Sequence, residues 1–456
     1  AGHRIAIIGM AGRFPGAVDL DQFWQNLVEG VESLTELDTD RLKAAGVTEQ
    51  RFTDPNYVRL VPLLDDIEGF DAKYFGYHAR EAQVADPQQR IFLEVCNTAL
   101  QHAGYDPSRY PGRIGVFGGG APNTYSHDFV YENQSVRDAV GDIGIEINNA
   151  PDYLATRVAY TLGLTGPAVS VVTACSTALV AVHLACRSLT AGECSMAIAG
   201  AVNIRTPQEK GYTWAENSIY SRDGHIRTFD AEASGTNFGY GAGTVLLKRY
   251  EDAVADGDTV HAVIIGSAMN NDGANRASFG APSPDGQTVV ISDALRDAGD
   301  LDPDTIGYVE AHGTGTAVGD PIEVEALSTA YRHAGARGVQ AIPIGSVKTN
   351  IGHLGAAAGI PSLIKVVLAI QHRRLPATLH YSQPNPRIPF AQTPFHVFRH
   401  SRPWPHLDAP LRAGGRYAIK HTTRNARCVV QELQYRLDVN TLHREEGIPQ
   451  LGLNDI

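Results

Sequence analysis

Closely spaced cysteines are missing from this chain. Its five, Cys96, Cys175, Cys186, Cys194 and Cys428, form no CxxC pair and no disulfide framework. That excludes a cysteine-stapled secreted scaffold and fits a reducing, cytoplasmic setting. An excess of positive charge is missing too. The net charge is -12, and a surface that follows phosphates needs a basic footprint, so nucleic acid is not an expected partner. No apolar run reads as long enough to span a membrane, and no signal peptide precedes the first strand-like run, RIAIIGM. No HExxH occurs, and no carboxylate–histidine group has metal spacing. FGYGAG and HGTGT resemble nucleotide loops only loosely, since neither carries G-x-G-x-x-G or the P-loop Lys-Ser/Thr. Neither a metal nor a bound cofactor is expected.

What is present is an ordinary globular composition. Hydrophobic residues make up 43% and charged residues 19% of 456, enough for a large core or two domains. Short apolar runs alternate with amphipathic stretches. RIAIIG, RIGVFGG, AVSVV, SMAIAGAV and TVLLKR read as strands, and 88–103 and 176–190 as helices. The alternation resumes after residue 255 with HAVIIGSAMN, helix 286–298, TIGYVEAH, helix 321–334, PIGSVK and helix 355–371. The class is α/β with buried strands in two successive halves. The Gly-, Ser- and Asp-rich segment 203–235 reads as loops over a site. Residues 373–416 read as an irregular excursion before a last strand, and 436–456 as a surface tail or short helix.

In AVSVVTACSTALVAVHLACRSL a buried strand runs into Cys175 and then directly into a helix. Leu179, Val182, Cys186 and Leu189 recur at helical spacing and face the core. A cysteine at a helix start is favoured as thiolate by the dipole and the free N–H groups, which also suit an oxyanion. The alternative is a small buried hydrophobe. Cys96, Cys186 and Cys194, in apolar surroundings, are read as structural.

Two later strands end in glycine-rich turns carrying histidine. In YVEAHGTGTAVGDPIEVEAL, His312 follows the strand, and Asp320 and Pro321 start a helix with Glu323 in its first turn. In IPIGSVKTNIGHLGAAAGI, Lys348 and His353 flank a turn. Each histidine alone has a structural reading. In an α/β fold, however, strand ends converge on a common crevice. A cysteine, two histidines and a lysine there point to acyl chemistry: a thioester on Cys175, with imidazoles donating to an enolate or thioester oxygen.

The motifs IAIIGMAGRFPGA, DPQQRIFLEV, GVFGG, TACSTALVAVHLA, FDAEASGTNFGYGAG, EAHGTGTAVGDPIE and SVKTNIGHLGAAAG resemble the ketosynthase (β-ketoacyl synthase) domains of modular type I polyketide synthases over about residues 3–435. The resemblance implies a thiolase-like fold, two βαβαβ-type halves forming a layered α-β-α-β-α sandwich. Residues 1–255 would form the half carrying the nucleophile, 256–435 the half carrying the histidines, and 436–456 a tail. It implies that Cys175 is acylated and that His312 and His353 hold the incoming thioester carbonyl and promote decarboxylation. Lys348 and Glu323 would form a supporting ion pair. It also implies a homodimer without metal that takes substrates from the phosphopantetheine of an acyl carrier protein.

One stretch departs from the family. KHTTRNARCVVQ, residues 420–431, stands where relatives carry GFGGTNAHVV. His421 replaces the gating Phe, Thr422 and Thr423 replace the two glycines, and Arg424 and Arg427 replace Thr and His. His421 still offers a backbone N–H to the oxyanion hole, but β-branched residues resist the positive φ of a glycine hinge. Val172 and Ala178 stand where relatives carry Asp and Ser. The altered gate, and the lack of an acyltransferase or carrier segment within these residues, tilt the expectation toward intramolecular aldol-type cyclisation and release. The stand-alone bicyclising ketosynthase of salinosporamide-type γ-lactam-β-lactone pathways is such a case. Ordinary decarboxylative condensation with a malonyl-type extender is the alternative, and a non-catalytic acyl-holding domain a third reading.

Overall fold

The first apolar run forms strand β1 (Ile5–Arg13), and its side chains serve two cores at once. Ile5, Ile7 and Met10 enter one cluster, while Ala6, Ile8 and Ala11 enter another. This is the period of two, with a one-residue slip between Ile7 and Gly9. A strand buried on both faces requires a layer on each side. The computed structural model describes residues 4–276, 281–299 and 301–404, and the short strands at 412–414, 417–420, 436–437 and 444–445.

The first half adds β2 (Ile114–Gly119), β3 (Ala168–Ser170), β4 (Met196–Asn203) and β5 (Gly241–Arg249). They lie in the order β3-β2-β4-β5-β1. β2 is parallel to β3 and β4, whereas β5 is antiparallel to both its neighbours. The second half supplies β6 (Ala262–Ser267), β7 (Tyr308–Glu310), β8 (Ile342–Gly345), β9 (Phe395–His396), β10 (Arg412–Gly414) and β11 (Tyr417–Lys420), in the order β9-β8-β7-β10-β11-β6. With edge strand β9 set aside, the same places recur (third, second, fourth, fifth, first), with the fifth again reversed. β1 pairs with β6 and joins the two sets. No repeated sequence announces this duplication; it is a repeat of topology.

Helices α1 (Pro87–His102) and α2 (Tyr153–Leu162) pack on the outer face of the first set. α3 (Thr177–Ala191) and α6 (Gly359–His372) fill the space between the sets. α4 (Pro284–Asp297) and α5 (Gly319–His333) cover the far face of the second. The three largest apolar cores among the described residues therefore alternate with the two strand sets, giving five layers, α-β-α-β-α. Where α6 begins against α3, a Cβ on Gly359 would lie 2.2 Å from Leu179, so only glycine permits that approach. By length and composition, Ala174–Ala191 and Gly355–His372 are apolar enough to cross a membrane, which corrects the sequence reading. Their place between the two strand sets accounts for the apolarity.

The helices expected at 176–190 and 355–371 are each preceded by one 3-10 turn, Ala174–Ser176 and Gly355–Ala357. The irregular stretch 373–416 contributes β9 and β10, of two and three residues, too short to show a period. The last strand expected at about 427–431 lies outside the described residues. Residues 1–421 make one compact unit and 422–456 another. Within 436–456, read as a surface tail or short helix, Arg436–Leu437 pairs antiparallel with Arg444–Glu445.

Candidate active site

Cys175 stands on a sharp turn between β3 and α3. Ala174 has φ +51°, the left-handed region, which costs a non-glycine residue about 1–2 kcal/mol. Three hydrogen bonds hold the turn. Thr173 N–H donates to Thr177 Oγ1 at 2.9 Å, Thr177 Oγ1 donates to the Ala174 carbonyl at 2.8 Å, and Ser176 Oγ donates to the Thr173 carbonyl at 2.8 Å. The half-buried Cys175 thus sits in the 3-10 turn that leads into α3. Cys96, Cys186 and Cys194 are buried, and burial pushes each thiol up, Cys186 to about 12. They are core residues.

His312 follows β7 on a turn held by carboxylates from α5. Glu323 Oε1 accepts from His312 N–H at 2.7 Å, and Oε2 accepts from Gly313 N–H at 2.8 Å. Asp320 accepts from Gly315 N–H at 3.1 Å and from Phe229 N–H at 2.8 Å. Gly313 has φ +47°, and a Cβ there would lie 2.6 Å from Thr228. Asp320 is fully buried, and burial raises its carboxyl to about 7 against the pull of its backbone donors.

His353 lies almost wholly inside the protein. Its N–H donates to the Asn237 carbonyl at 2.8 Å. Its Nδ1 accepts from Gly355 N–H at 3.0 Å. Burial, reinforced by the positive charge of Lys348, holds this imidazole well below its ordinary range, so it is neutral. With Nδ1 accepting, the proton sits on Nε2, making His353 a hydrogen-bond donor. Its ring meets that of His312 edge-on, with centres 5.3 Å apart, and Phe238 packs 4.8 Å away on another side. Lys348 is buried at the first residue of the short helix Lys348–Ile351.

Two cavities meet at the cysteine. A larger one, about 950 Å³, is lined by Cys175, His312, Thr314, Thr316, Trp214 and Glu323 among others. A smaller one, about 510 Å³, is lined by Cys175, Tyr212, Tyr220, Phe238, Tyr240 and Gly355 among others. The loop segment expected over a site supplies Trp214, Asn217, Ser218, Ile219 and Ser234 to the larger one. Cys175, His312, His353 and Glu323 are thus gathered in one region, with Lys348 close enough to act on His353. His421, Thr422 and Thr423 lie outside the described residues, as do Arg424, Arg427 and Cys428. Sequence reasoning missed the second role of Asp320, which holds the Gly315 turn, and it missed Asn237, which holds His353.

Residues 2–253 match the β-ketoacyl synthase N-terminal domain, and residues 261–382 match its C-terminal domain. The chain belongs to the β-ketoacyl synthase family. The chain is 44% identical, over 99% of its length, to a phenolphthiocerol/phthiocerol polyketide synthase polypeptide of Mycobacterium tuberculosis, of which it covers 30%. It is 39% identical over 97% of its length to polyketide synthase ThaG of Burkholderia thailandensis, covering 8% of that protein. It thus spans less than a third of these curated relatives. Ketosynthase twelve of the bacillaene polyketide synthase of Bacillus amyloliquefaciens is similar at 36% identity and a TM-score of 0.86, with 92% of this chain and 75% of that one covered. The fold is the thiolase-like ketosynthase fold, and the family is one of condensing enzymes. Ketosynthase domains carry no cofactor of their own; in polyketide synthases the substrates ride on the phosphopantetheine of an acyl carrier protein.

Proposed function

We propose that this protein joins an acyl chain held on Cys175 to a malonyl-type unit by decarboxylative condensation. The Cys175 thiolate attacks the thioester carbonyl of the incoming acyl group, and the carrier leaves as a thiolate, which takes a proton from water. The malonyl-type thioester then loses carbon dioxide. The enolate oxygen so formed is held by Nε2–H of His353 and by His312, and the enolate carbon attacks the acyl carbonyl. The bond to sulfur breaks, and Cys175 is freed as thiolate. The observation that carries this reading is the neutral, buried His353, with Nδ1 occupied by Gly355 N–H. Such a group donates a hydrogen bond and has no spare basic nitrogen for activating water, so it suits an enolate better than hydrolysis.

The threonine-bordered larger cavity suits the amide-bearing phosphopantetheine arm, and the aromatic-walled smaller one suits the acyl chain. In this reading Lys348 and Glu323 form a supporting ion pair, and residues 1–255 and 256–435 are the functional halves. The partner is an acyl carrier protein, the working form a homodimer and the setting the cytoplasm. Cyclisation of a finished chain is the second reading. It is favoured by one observation in the sequence, the replacement of the glycine gate by His421, Thr422 and Thr423.

The test is to mix the protein with acyl-loaded carrier, with and without malonyl-carrier, and follow intact mass. Chain growth that needs malonyl-carrier supports condensation. A cyclised product released without it replaces that reading with the second. Acylation of Cys175 with no onward product refutes both and leaves an acyl-holding domain.

A further inference from the structure

Away from both cavities, three side chains from distant parts of the chain converge. Glu32 follows the N-terminal helix Leu20–Glu29, His225 belongs to the loop segment 203–235, and His380 follows α6. Both carboxylate oxygens of Glu32 lie 2.9 Å from His225 Nδ1. Its Oε1 also lies 2.9 Å from His380 Nε2. The two imidazole centres are 5.0 Å apart. Side-chain exposures of 34% for His225, 18% for Glu32 and 29% for His380 leave one side of the group open to water. None of the three lines either cavity at the cysteine.

The chain around each of these residues is tied to the turn carrying Lys348 and His353. Asn350 Nδ2 donates to the Val31 carbonyl at 3.0 Å, and Ser33 N–H donates to the Asn350 carbonyl at 2.7 Å. Leu379 N–H donates to Thr349 Oγ1 at 3.1 Å. Asn237 Nδ2 donates to the Gly224 carbonyl at 2.8 Å, and the Asn237 carbonyl in turn receives His353 N–H. His380 is held at φ +58°, a conformation unfavourable for a residue with a side chain. Three segments are therefore brought to one point behind the catalytic turn.

We propose that Glu32, His225 and His380 bind a divalent transition-metal ion of the zinc class, which clamps these three segments behind the Lys348–His353 turn. Two imidazole nitrogens and one carboxylate oxygen form a donor set that suits zinc and its neighbours better than calcium or magnesium, which prefer all-oxygen shells. Three protein ligands leave a fourth position, which the open side fills with water. A tetrahedron with bonds of about 2.0–2.1 Å has edges of about 3.3 Å. The nitrogen–oxygen separations of 2.9 Å need a few tenths of an ångström of opening to meet it, and the two ring nitrogens, which lie within 4.8 Å of each other, must close to the same edge. Each neutral imidazole supplies its lone pair by carrying its proton on the other ring nitrogen. The carboxylate offsets part of the ion's charge. The ion's role is structural, and it takes no part in the condensation.

The test uses the full chain, freed of metal by a chelator and dialysed, then titrated with Co²⁺ and Zn²⁺. The expected result is one equivalent of Co²⁺ per chain with visible d–d absorption, displaced by Zn²⁺. Affinity should fall by more than about 100-fold in His225→Ala and in His380→Asn, the latter chosen because Asn tolerates positive φ. Binding should persist in Cys175→Ala. Three results would overturn the proposal: no stoichiometric binding, binding unchanged in both histidine variants, or binding lost only in Cys175→Ala. The first would leave the cluster as a hydrogen-bonded staple. Acylation of Cys175, read by intact mass in the same metal-free protein, keeps this outcome separate from the fate of the condensation reading.

Discussion

Changing Glu323 to Gln tests whether the catalytic turn is held from below. The carboxylate accepts two backbone N–H bonds, at 2.7 Å from His312 and 2.8 Å from Gly313. Each is a hydrogen bond to a charged group, of about 1.5–3 kcal/mol. Glutamine keeps one acceptor and turns an NH₂ toward the other N–H. One bond is lost and one buried donor is left without an acceptor, together about 3 kcal/mol. If that strain is relieved by displacing His312, the decarboxylation step slows by about 100-fold. Cys175, the proposed nucleophile, lies on a different turn, held by its own threonine and serine bonds, so acylation should be nearly unaffected. Malonyl-carrier decarboxylation and Cys175 acylation are to be measured separately by intact mass, for wild type, Glu323→Gln and Glu323→Asp. The expected pattern is slow decarboxylation, loading within about threefold of wild type, and partial recovery in the aspartate variant. Equal loss of both steps, or no loss of either, would refute the argument that Glu323 acts through His312.

Cys175→Ala should abolish covalent loading, and a mass increase of one acyl group on this variant would refute the assignment of the nucleophile. Because His353 is held neutral well below the usual imidazole range, the malonyl-carrier decarboxylation rate should stay flat as pH falls through 6.5; a loss of half the rate there would mean that it titrates normally. In unfolded chain this histidine takes up a proton below about 6.5, whereas in the native protein it does not, so its contribution to stability is lost as pH falls. Asp320 has the opposite sign. The native protein holds its proton up to about 7, so its contribution is lost as pH rises through 4 to 7. The fall in thermal midpoint between pH 4 and 7 should shrink in Asp320→Asn. Gly359→Ala should lower stability by about 1–3 kcal/mol through overpacking against Leu179, read as the denaturant midpoint. Restoring the gate by His421→Phe with Thr422→Gly and Thr423→Gly should shift products toward malonyl-dependent elongation; an unchanged product ratio would count against a gating role.

The long strands and helices were legible because burial imposes a period. The start of α3 at Thr177 and the end of β7 at Glu310 fall within a residue or two of the expected points. Cys175, His312 and His353 were picked out for a related reason, since the connections that carry them come after strands ending at Ser170, Glu310 and Gly345. What depends on distant chain was not. The Asn237 that holds His353 lies more than a hundred residues away from it. Glu32, His225 and His380 have no common spacing at all, so a search for metal patterns along the chain passes over them. The duplicated strand order was hidden as well, because β9 and β10 are too short to carry a pattern and the two halves do not repeat in sequence.

The single sulfur of residue 175 borders two chambers with different walls, one that includes Thr173, Thr314, Thr316 and Trp214, the other rich in tyrosine with Phe238. In the proposed reaction a guest resting among the aromatic rings need not vacate for the next visitor, which enters the other chamber. Tailoring the length or bulk of accepted chains therefore becomes a matter of carving Tyr212, Tyr220 or Tyr240, leaving the second doorway and its traffic untouched.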